Sequence, residues 1–128
     1  MEKYTAAKDI ASNDLYYIDG LASVKDAVQM MKDKNVRSLI IQKRNEADAN
    51  GIVTVTDIIK KVIILNKTLE EVSVYEIMTK PVLSIPAQMN IKYIPRLMMN
   101  AQIKFAPVEE NGKYIGVINY TQFLFNLI

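Results

Sequence analysis

The chain contains two copies of one short pattern, and this internal repeat limits its possible folds more than any other feature. In the first copy, Gly51–Ile59, a β-favouring run passes directly into an apolar helical run. The second copy, Gly116–Leu124, repeats the apolar positions almost one for one. A pattern that recurs at a fixed period indicates two copies of one structural unit. We therefore expect two similar halves, each with this strand-to-helix junction.

The repeat divides the chain into two parts of similar length. Met31 and Met98 occupy matching positions, as do the glycines that open the two copies. We predict that residues 1–68 contain a lead-in and the first repeat, and that residues 69–128 contain the second. A chain of 128 residues can bury one core but is short for two independent domains. We therefore expect the two repeats to form one module.

Hydrophobic periodicity predicts the order β-α-β-β-α in the first repeat. The predicted elements are a strand at Leu15–Ile18, a helix at Val24–Lys34, strands at Val36–Gln42 and Ile52–Val55, and a helix whose inner face carries Ile58, Ile59, Val62 and Ile63. Ser23 and Asp26 should cap the start of the first helix, because their spacing is that of a capping box. Asn35 should end this helix in the left-handed conformation.

The second repeat predicts the same order, with prolines at two positions that disturb it. Its predicted elements are a strand at Val82–Ile85, a helix that Asn90 caps and that carries Ile91, Ile94, Leu97 and Met98, and a strand at Ile103–Val108 followed by a hairpin turn at Asn111 and Gly112. Pro95 falls inside the helix and should kink or shorten it. Pro107 falls inside the strand, so we expect weak pairing there.

Composition excludes several kinds of chemistry. The sequence contains no Cys and no His, which rules out disulfides, thiol or imidazole catalysis and the usual zinc sites. The net charge of +2 is too small to indicate a nucleic-acid surface, and the apolar runs are too short to span a bilayer. No carboxylate pair is placed for acid–base catalysis. We therefore expect a cytoplasmic protein that is not an enzyme and requires no cofactor or metal.

Polar residues at the first junction are the strongest candidates for a site. Thr54 and Asp57 lie three positions apart where the strand passes into the helix. They could bind a ligand, or they could only cap the helix and stabilise its dipole. Arg37 and Lys104 precede matching strands, and they could bind an anion or could be solvated charges. The residues alone leave both pairs of alternatives open.

Together, these motifs resemble a pair of cystathionine-β-synthase-type (CBS) domains, the tandem unit called a Bateman module. The resemblance covers most of the chain. Its most specific elements are the run Gly51–Ile58, the approach Asn35–Leu39 and the start of the second repeat at Ile77–Val82. It implies an α/β (α+β) fold in which two β-α-β-β-α repeats pack about a pseudo-twofold axis and leave two related clefts between them.

In that family the clefts often hold adenosine-containing ligands such as AMP, ADP, ATP or S-adenosylmethionine. The resemblance assigns the ribose to Thr54 and Asp57. It assigns the base to Ile52, Met78, Val82 and Leu83, and the phosphates to Arg37, Ser38 and Lys104. Asp57 would accept hydrogen bonds from the ribose hydroxyls, and Thr54 would contact the ribose or a phosphate. The cationic side chains favour a nucleotide over the sulfonium of S-adenosylmethionine.

The second copy differs at the positions that would matter for binding. Asn119 and Gln122 stand where the first copy has Thr54 and Asp57. A neutral amide can accept a hydrogen bond from a ribose hydroxyl, but more weakly than a carboxylate. We therefore expect one competent cleft and a second cleft that is weak, altered or empty.

The expected function is that of a regulatory sensor module that signals to a separate, unidentified partner protein. We expect a homodimer built from the helices of both repeats, with apolar surface from residues such as Ile58, Ile59, Phe123 and Leu124. A ligand-free dimerisation or scaffold module is the alternative. The nearly balanced charge gives little support for nucleic-acid binding, and no membrane contact is expected.

Overall fold

The secondary structure follows the order β-α-β-β-α twice, after one short leading helix. A computed structural model describes residues 4–128 of the chain. The elements of the first half are α1 (Ala7–Ile10), β1 (Tyr17–Ile18), α2 (Val24–Lys34), β2 (Ser38–Ile41), β3 (Gly51–Thr54) and α3 (Val55–Ile58), which continues as a π-helix (Ile59–Ile63). Those of the second half are a 3₁₀ turn (Val74–Glu76), β4 (Ile85–Pro86), a 3₁₀ turn (Ile91–Tyr93), α4 (Ile94–Asn100), β5 (Phe105–Glu110), β6 (Lys113–Asn119) and α5 (Tyr120–Phe125). The predicted α/β fold of two β-α-β-β-α repeats is confirmed.

Contacts divide the chain into two compact units, each built around one three-stranded sheet. The central unit is Tyr16–Val82, and the terminal unit joins the residues up to Leu15 with Leu83–Ile128. The predicted boundary between residues 68 and 69 separates the two sequence repeats and not these compact units. It stays a prediction.

In the central unit, α2 has the bounds that the sequence predicts. The Ser23 hydroxyl accepts a hydrogen bond from the Asp26 N–H at 3.0 Å, and Asn35 ends the helix with φ of 54°. Its apolar residues pack against a sheet in which β1 is parallel to β2 and β2 is antiparallel to β3. The register pairs Ser38 with Thr54 at one end of the sheet and Ile41 with Gly51 at the other. The sheet thus has a Thr54 end and a Gly51 end, and the candidate site residues are distributed between them.

The free edge of β3 pairs with a segment that follows far along the chain. Ile52 and Thr79 exchange two backbone hydrogen bonds, each of 2.9 Å. This pairing requires a close approach at Gly51, where an added Cβ would lie 2.9 Å from Met78 Sδ and 3.2 Å from the Thr79 carbonyl oxygen. The glycine therefore lets the segment lie against the sheet.

The terminal unit repeats this arrangement with its own residues. β4 is parallel to β5, and β5 is antiparallel to β6. Ser12 and Val117 exchange backbone hydrogen bonds of 2.9 and 3.0 Å at the edge of β6. At Gly116 an added Cβ would lie 2.6 Å from the Ser12 carbonyl oxygen. The two glycines that open the sequence repeat thus have the same structural role.

The prediction for the inner face of the first junction helix is partly wrong. Ile58 and Val62 are buried as predicted, but Ile59 and Ile63 are 45% and 47% exposed. The core of the central unit contacts only half of the apolar stripe, so its other half remains at the surface of this unit. Because Ile58 is buried in this core, it cannot belong to the apolar surface that was expected to form a dimer.

The two prolines lie where a missing N–H is tolerated. Pro95 stands in the first turn of α4, which is preceded by a 3₁₀ turn, so the second predicted helix is indeed shortened. Pro107 is fully buried in β5 and pairs with Val117, whereas β4 pairs only with Val108 and Glu109. Pro107 is therefore paired on one side only. The predicted strand at 82–85 is also shorter than expected, since β4 begins at Ile85.

We expect Gly116→Ala to lower the free energy of unfolding by about 2 kcal/mol, as overpacked sites do, because the methyl group would overlap a backbone carbonyl. Gly51→Ala should cost less, because the Met78 side chain that it meets can rotate away. Urea unfolding of both variants and the parent measures the difference. A Gly116→Ala protein as stable as the parent, or less affected than Gly51→Ala, would contradict the edge pairing.

Candidate functional site

The junction of β3 and α3 is held by reciprocal hydrogen bonds between Thr54 and Asp57. Thr54 Oγ1 accepts from the Asp57 N–H at 3.2 Å, and Asp57 Oδ2 accepts from the Thr54 N–H at 2.9 Å. The Thr54 hydroxyl also donates to Asp57 Oδ2 at 3.0 Å. These contacts form a capping box, which satisfies N–H groups that the helix itself cannot bond. The pair therefore has a structural role that requires no ligand.

The same contacts leave one oxygen of Asp57 available. In the described part of the chain, the side-chain hydrogen bonds of Asp57 all use Oδ2. The residue is half-buried, so its carboxylate is held in place and also reaches the surface of the central unit. The site thus presents a fixed acceptor, Oδ1, beside the Thr54 hydroxyl.

Arg37 and Ser38 lie beside this junction. Ser38 pairs directly with Thr54 across β2 and β3, and the Val55 N–H donates to the Arg37 carbonyl at 3.1 Å. Ser38 is buried, whereas the Arg37 side chain is exposed. The structure therefore brings together a carboxylate, two hydroxyls and a guanidinium-bearing residue at one end of the sheet.

The residues predicted to contact the base lie nearer the other end of β3. Ile52 is buried, Met78 contacts the position of Gly51, and the Val82 N–H donates to the Asn50 carbonyl at 2.9 Å. At about 3.3 Å per residue, Gly51 and Thr54 lie roughly 10 Å apart along the strand. The central unit therefore contains Ile52, Met78 and Val82, and the last two lie near the end of β3 that is away from the Thr54 cap.

Leu83 and Lys104 belong to the terminal unit. Leu83 is half-buried against the core of that unit, and Lys104 is exposed directly before β5. Lys104 thus holds the position before its strand that Arg37 holds before β2. Their predicted contacts with the base and the phosphates stay predictions.

The second junction has a similar cap without a carboxylate. The Asn119 Oδ1 accepts from the Gln122 N–H at 2.8 Å at the start of α5. The hydroxyl of the next residue, Tyr120, donates to the Ile103 carbonyl at 2.7 Å and links the start of α5 to the residues before β5. The two junctions therefore share their backbone geometry, and only the first presents a negative charge.

Three contacts of the central unit were not predicted from the sequence. Lys61 Nζ donates to the Ile77 carbonyl at 3.0 Å and joins the π-helix to the segment that pairs with β3. Asp48 accepts from Lys80 Nζ at 2.6 Å and from Arg44 Nε at 3.1 Å. All of these pairs except Arg44–Asp48 join residues far apart in sequence, and no local pattern indicates them.

Two further properties bear on the type of site. Among residues 4–128, no group of three or more His, Cys, Asp or Glu side chains is placed to hold a metal ion. No helix in the same range is long and apolar enough to cross a membrane.

Comparison with known proteins identifies the family. The family model for the CBS domain matches residues 7–64 and 74–128, which together make up most of the chain. The chain belongs to the CBS domain family. The match confirms the predicted family. Pairs of CBS domains are regulatory ligand-binding modules and typically have no catalytic activity.

Three relatives illustrate the similarity of this CBS domain pair. A hexameric CBS-CP12 protein from bloom-forming cyanobacteria is 36% identical, with a TM-score of 0.93 over 97% of this chain and 68% of its own. The CBS domain pair of protein MJ0100, in complex with 5'-methylthioadenosine and S-adenosyl-L-methionine, is 23% identical, with a TM-score of 0.81 over 98% and 97% of the two chains. An uncharacterized protein of Methanopyrus kandleri is 28% identical over 91% of this chain, which spans only 59% of that relative's length.

We expect Thr54→Ala to lower the free energy of unfolding by about 1 kcal/mol in ligand-free protein, because it removes the cap of α3. Asp57→Asn should cost less, since the amide oxygen can still accept from the Thr54 N–H. Urea unfolding of both variants measures the effect. An Asp57→Asn protein that loses as much stability as Thr54→Ala would mean that the charge, and not the hydrogen-bond geometry, holds the junction.

Proposed function

We propose that this CBS domain pair is a non-catalytic sensor that binds an adenosine-containing ligand at Thr54 and Asp57. The observation that carries the proposal is the capping box, which uses Asp57 Oδ2 and leaves Oδ1 as a fixed acceptor. A ribose presents adjacent hydroxyl groups, and a carboxylate accepts from hydroxyls in strong, charge-assisted hydrogen bonds. The rigid cap reduces the entropy that would be lost when the ligand binds.

The charge beside the junction favours AMP, ADP or ATP over S-adenosylmethionine. The Arg37 side chain is exposed next to Ser38 and can form paired hydrogen bonds with a phosphate. A sulfonium would be repelled by the same guanidinium. We assign Arg37, Ser38 and, from the terminal unit, Lys104 to the phosphates.

The base is assigned to apolar residues of the segment that follows the first repeat. Met78 and Val82 lie along β3 with Ile52, and Leu83 follows directly in the chain. The roughly 10 Å between the two ends of β3 is a distance that a base joined to a ribose can span, whereas a free base cannot. This assignment therefore requires a nucleoside, and the preference for a nucleotide rests on Arg37 beside the Thr54 end.

The ligands bound by MJ0100 are consistent with this proposal but do not select the nucleotide, because at 23% identity the likeness concerns the fold. Signalling to a separate partner would follow if the ligand binds two arrangements of the module with different affinities. The partner is then controlled by that difference in binding free energy.

We expect one of AMP, ADP and ATP to raise the melting temperature of the chain by several degrees. A ligand at about one hundred times its Kd stabilises the folded state by about 2.7 kcal/mol. S-Adenosylmethionine should give a smaller shift. Thermal unfolding with each of the four ligands is the measurement.

Matched variants at the two junctions complete this test. Asp57→Asn, which keeps the cap acceptor, and Asp57→Ala should each remove most of the ligand-induced shift. Gln122→Ala, at the matching position of the second junction, should leave it nearly unchanged. No shift with any of the four ligands would favour the alternative, a ligand-free dimerisation module. Equal losses in the Asp57 and Gln122 variants would refute a single competent site.

A second proposal concerns assembly as a homodimer. Ile59 and Ile63, which the core of the central unit does not cover, are followed by exposed Ile64 and Leu65. A concentration of exposed apolar side chains in one short segment suits an interface between copies of the chain.

We expect Ile63→Glu to weaken the dimer by at least about tenfold, equivalent to about 1.4 kcal/mol, because it places a charge in an apolar interface. Sedimentation equilibrium of the parent and the variant measures this change. Ile115→Glu, at an exposed apolar position on strand β6 and not on a helix, is the control and should have little effect. A parent chain that is monomeric, or a dimer that tolerates Ile63→Glu, would refute this interface.

A further inference from the structure

The central unit contains a cavity of about 720 Å³ at the end of its sheet that lies away from Thr54. Its lining includes Gly20, which follows β1, and Ile41, which ends β2 and pairs with Gly51. The volume lies within the range of small-molecule sites, roughly 300–1,000 Å³. We propose that this cavity binds a small organic anion in which a flat apolar group carries a phosphate or a carboxylate.

One wall of the cavity is apolar and open to solvent. Leu21 and Tyr75 line it with 79% and 53% of their surface exposed, and Ile41 and Met78 form its more buried part. Exposed large apolar side chains that face one cavity lose contact with water when a flat group enters. This wall therefore suits an aromatic or similarly flat ligand group.

Backbone contacts hold the apolar wall in place. The Tyr75 N–H donates to the Gly20 carbonyl at 2.9 Å, and the Leu21 N–H donates to Asp19 Oδ1 at 2.8 Å. The Ser73 N–H, at the start of the 3₁₀ turn that carries Tyr75, donates to Glu76 Oε2 at 2.7 Å. These contacts fix the backbone of the wall, so little backbone entropy is lost when a ligand binds.

The lining also includes three cations, Lys43, Arg44 and Lys80, which we call the rim. Asp48, whose side chain is only 8% exposed, accepts from Lys80 Nζ at 2.6 Å and from Arg44 Nε at 3.1 Å. It also accepts from the Arg44 N–H at 2.9 Å. The side-chain hydrogen bonds of Arg44 in the described chain use Nε alone, so its two Nη groups remain to bind an anion.

The charges at the rim favour an anion over a cation. The hydrogen bond from Lys80, followed by those from Arg44, holds the pKa of Asp48 well below its usual range, so this carboxylate stays charged near neutral pH. Asp48 and Asp19 together offset two of the three cations. The balance is one positive charge, and the exposed Lys43 forms no ion pair within residues 4–128.

The second repeat has no counterpart of this rim. Nine residues separate β2 from β3, and they supply Lys43, Arg44 and Asp48. In the terminal unit, β5 and β6 are joined by the tight turn at Asn111 and Gly112. The longer loop is not needed to connect two antiparallel strands, and loops of this kind commonly carry binding residues.

An NMR titration of uniformly ¹⁵N-labelled chain tests this inference. The probes are phenyl phosphate, benzoate, phenol and inorganic phosphate, which present the anion and the flat group together or apart. We expect saturable shifts of the Gly20, Lys43 and Tyr75 amides with at least one of the first two probes. Its Kd should be at least about tenfold lower than those of phenol and inorganic phosphate, or about 1.4 kcal/mol in binding free energy. The tighter of the two anions identifies phosphate or carboxylate as the preferred group.

Lys43→Ala should weaken the better probe by about tenfold, or about 1.4 kcal/mol, without disturbing Asp48. Lys92→Ala, which removes a cation from the terminal unit, is the matched control and should not change the affinity. Unsaturable shifts, equal affinity for all four probes, or largest shifts at Arg37 and Thr54 would overturn the proposal. Because the amide responses separate the two ends of the sheet, failure of adenosine binding at Asp57 would leave this result unaffected.

Discussion

The backbone pairing of Ile52 with Thr79 is the contact on which the central unit depends. A three-stranded sheet leaves the outer edge of its third strand unpaired, and such an edge must be covered or paired. Gly51 allows a later segment to approach closely enough to do this. The terminal unit meets the same requirement with Val117 and Ser12. Each sheet thus takes its edge partner from a segment outside its own β-α-β-β-α series, and this explains why the compact units do not coincide with the sequence repeats.

The same pairing gives the central unit two distinct ends. At one end Thr54 and Asp57 stabilise the start of α3, and at the other end the paired segment brings Lys80 to Asp48. In both places a half-buried or nearly buried carboxylate is fixed by hydrogen bonds before any ligand arrives. Fixed groups of this kind lower the entropic cost of binding. In the two proposed sites, the groups that stabilise the unit would also prepare it for a ligand, through the remaining Asp57 oxygen at one end and through the cations that Asp48 holds at the other.

Local signals explain which parts of the structure were predictable from the sequence. Ser23 and Asn35 define α2 because capping and left-handed termination depend on neighbouring residues only. The turn at Asn111 and Gly112 is local in the same sense. The exposure of Ile59 depends instead on how much of a helix one small core can cover. The spacing of apolar residues along the helix does not determine this. The candidate site was predictable as far as Thr54 and Asp57, because the repeat marks them.

The long-range contacts and the cavity required coordinates. Lys61 reaches Ile77, and Lys80 reaches Asp48, across separations that periodicity does not encode. Both contacts lie in the central unit, which also carries the charged junction and the long loop. The second repeat also has the glycine, the cap and the edge pairing. It has the neutral Gln122 instead of a junction carboxylate, and a tight turn instead of the long loop. Features required by the sheet are thus present twice, as is the cation before β2 and β5, whereas the junction carboxylate and the charged loop occur once. A repeat pair in which both copies have the fold and only the first has the junction carboxylate agrees with the proposal of a single competent site at Asp57.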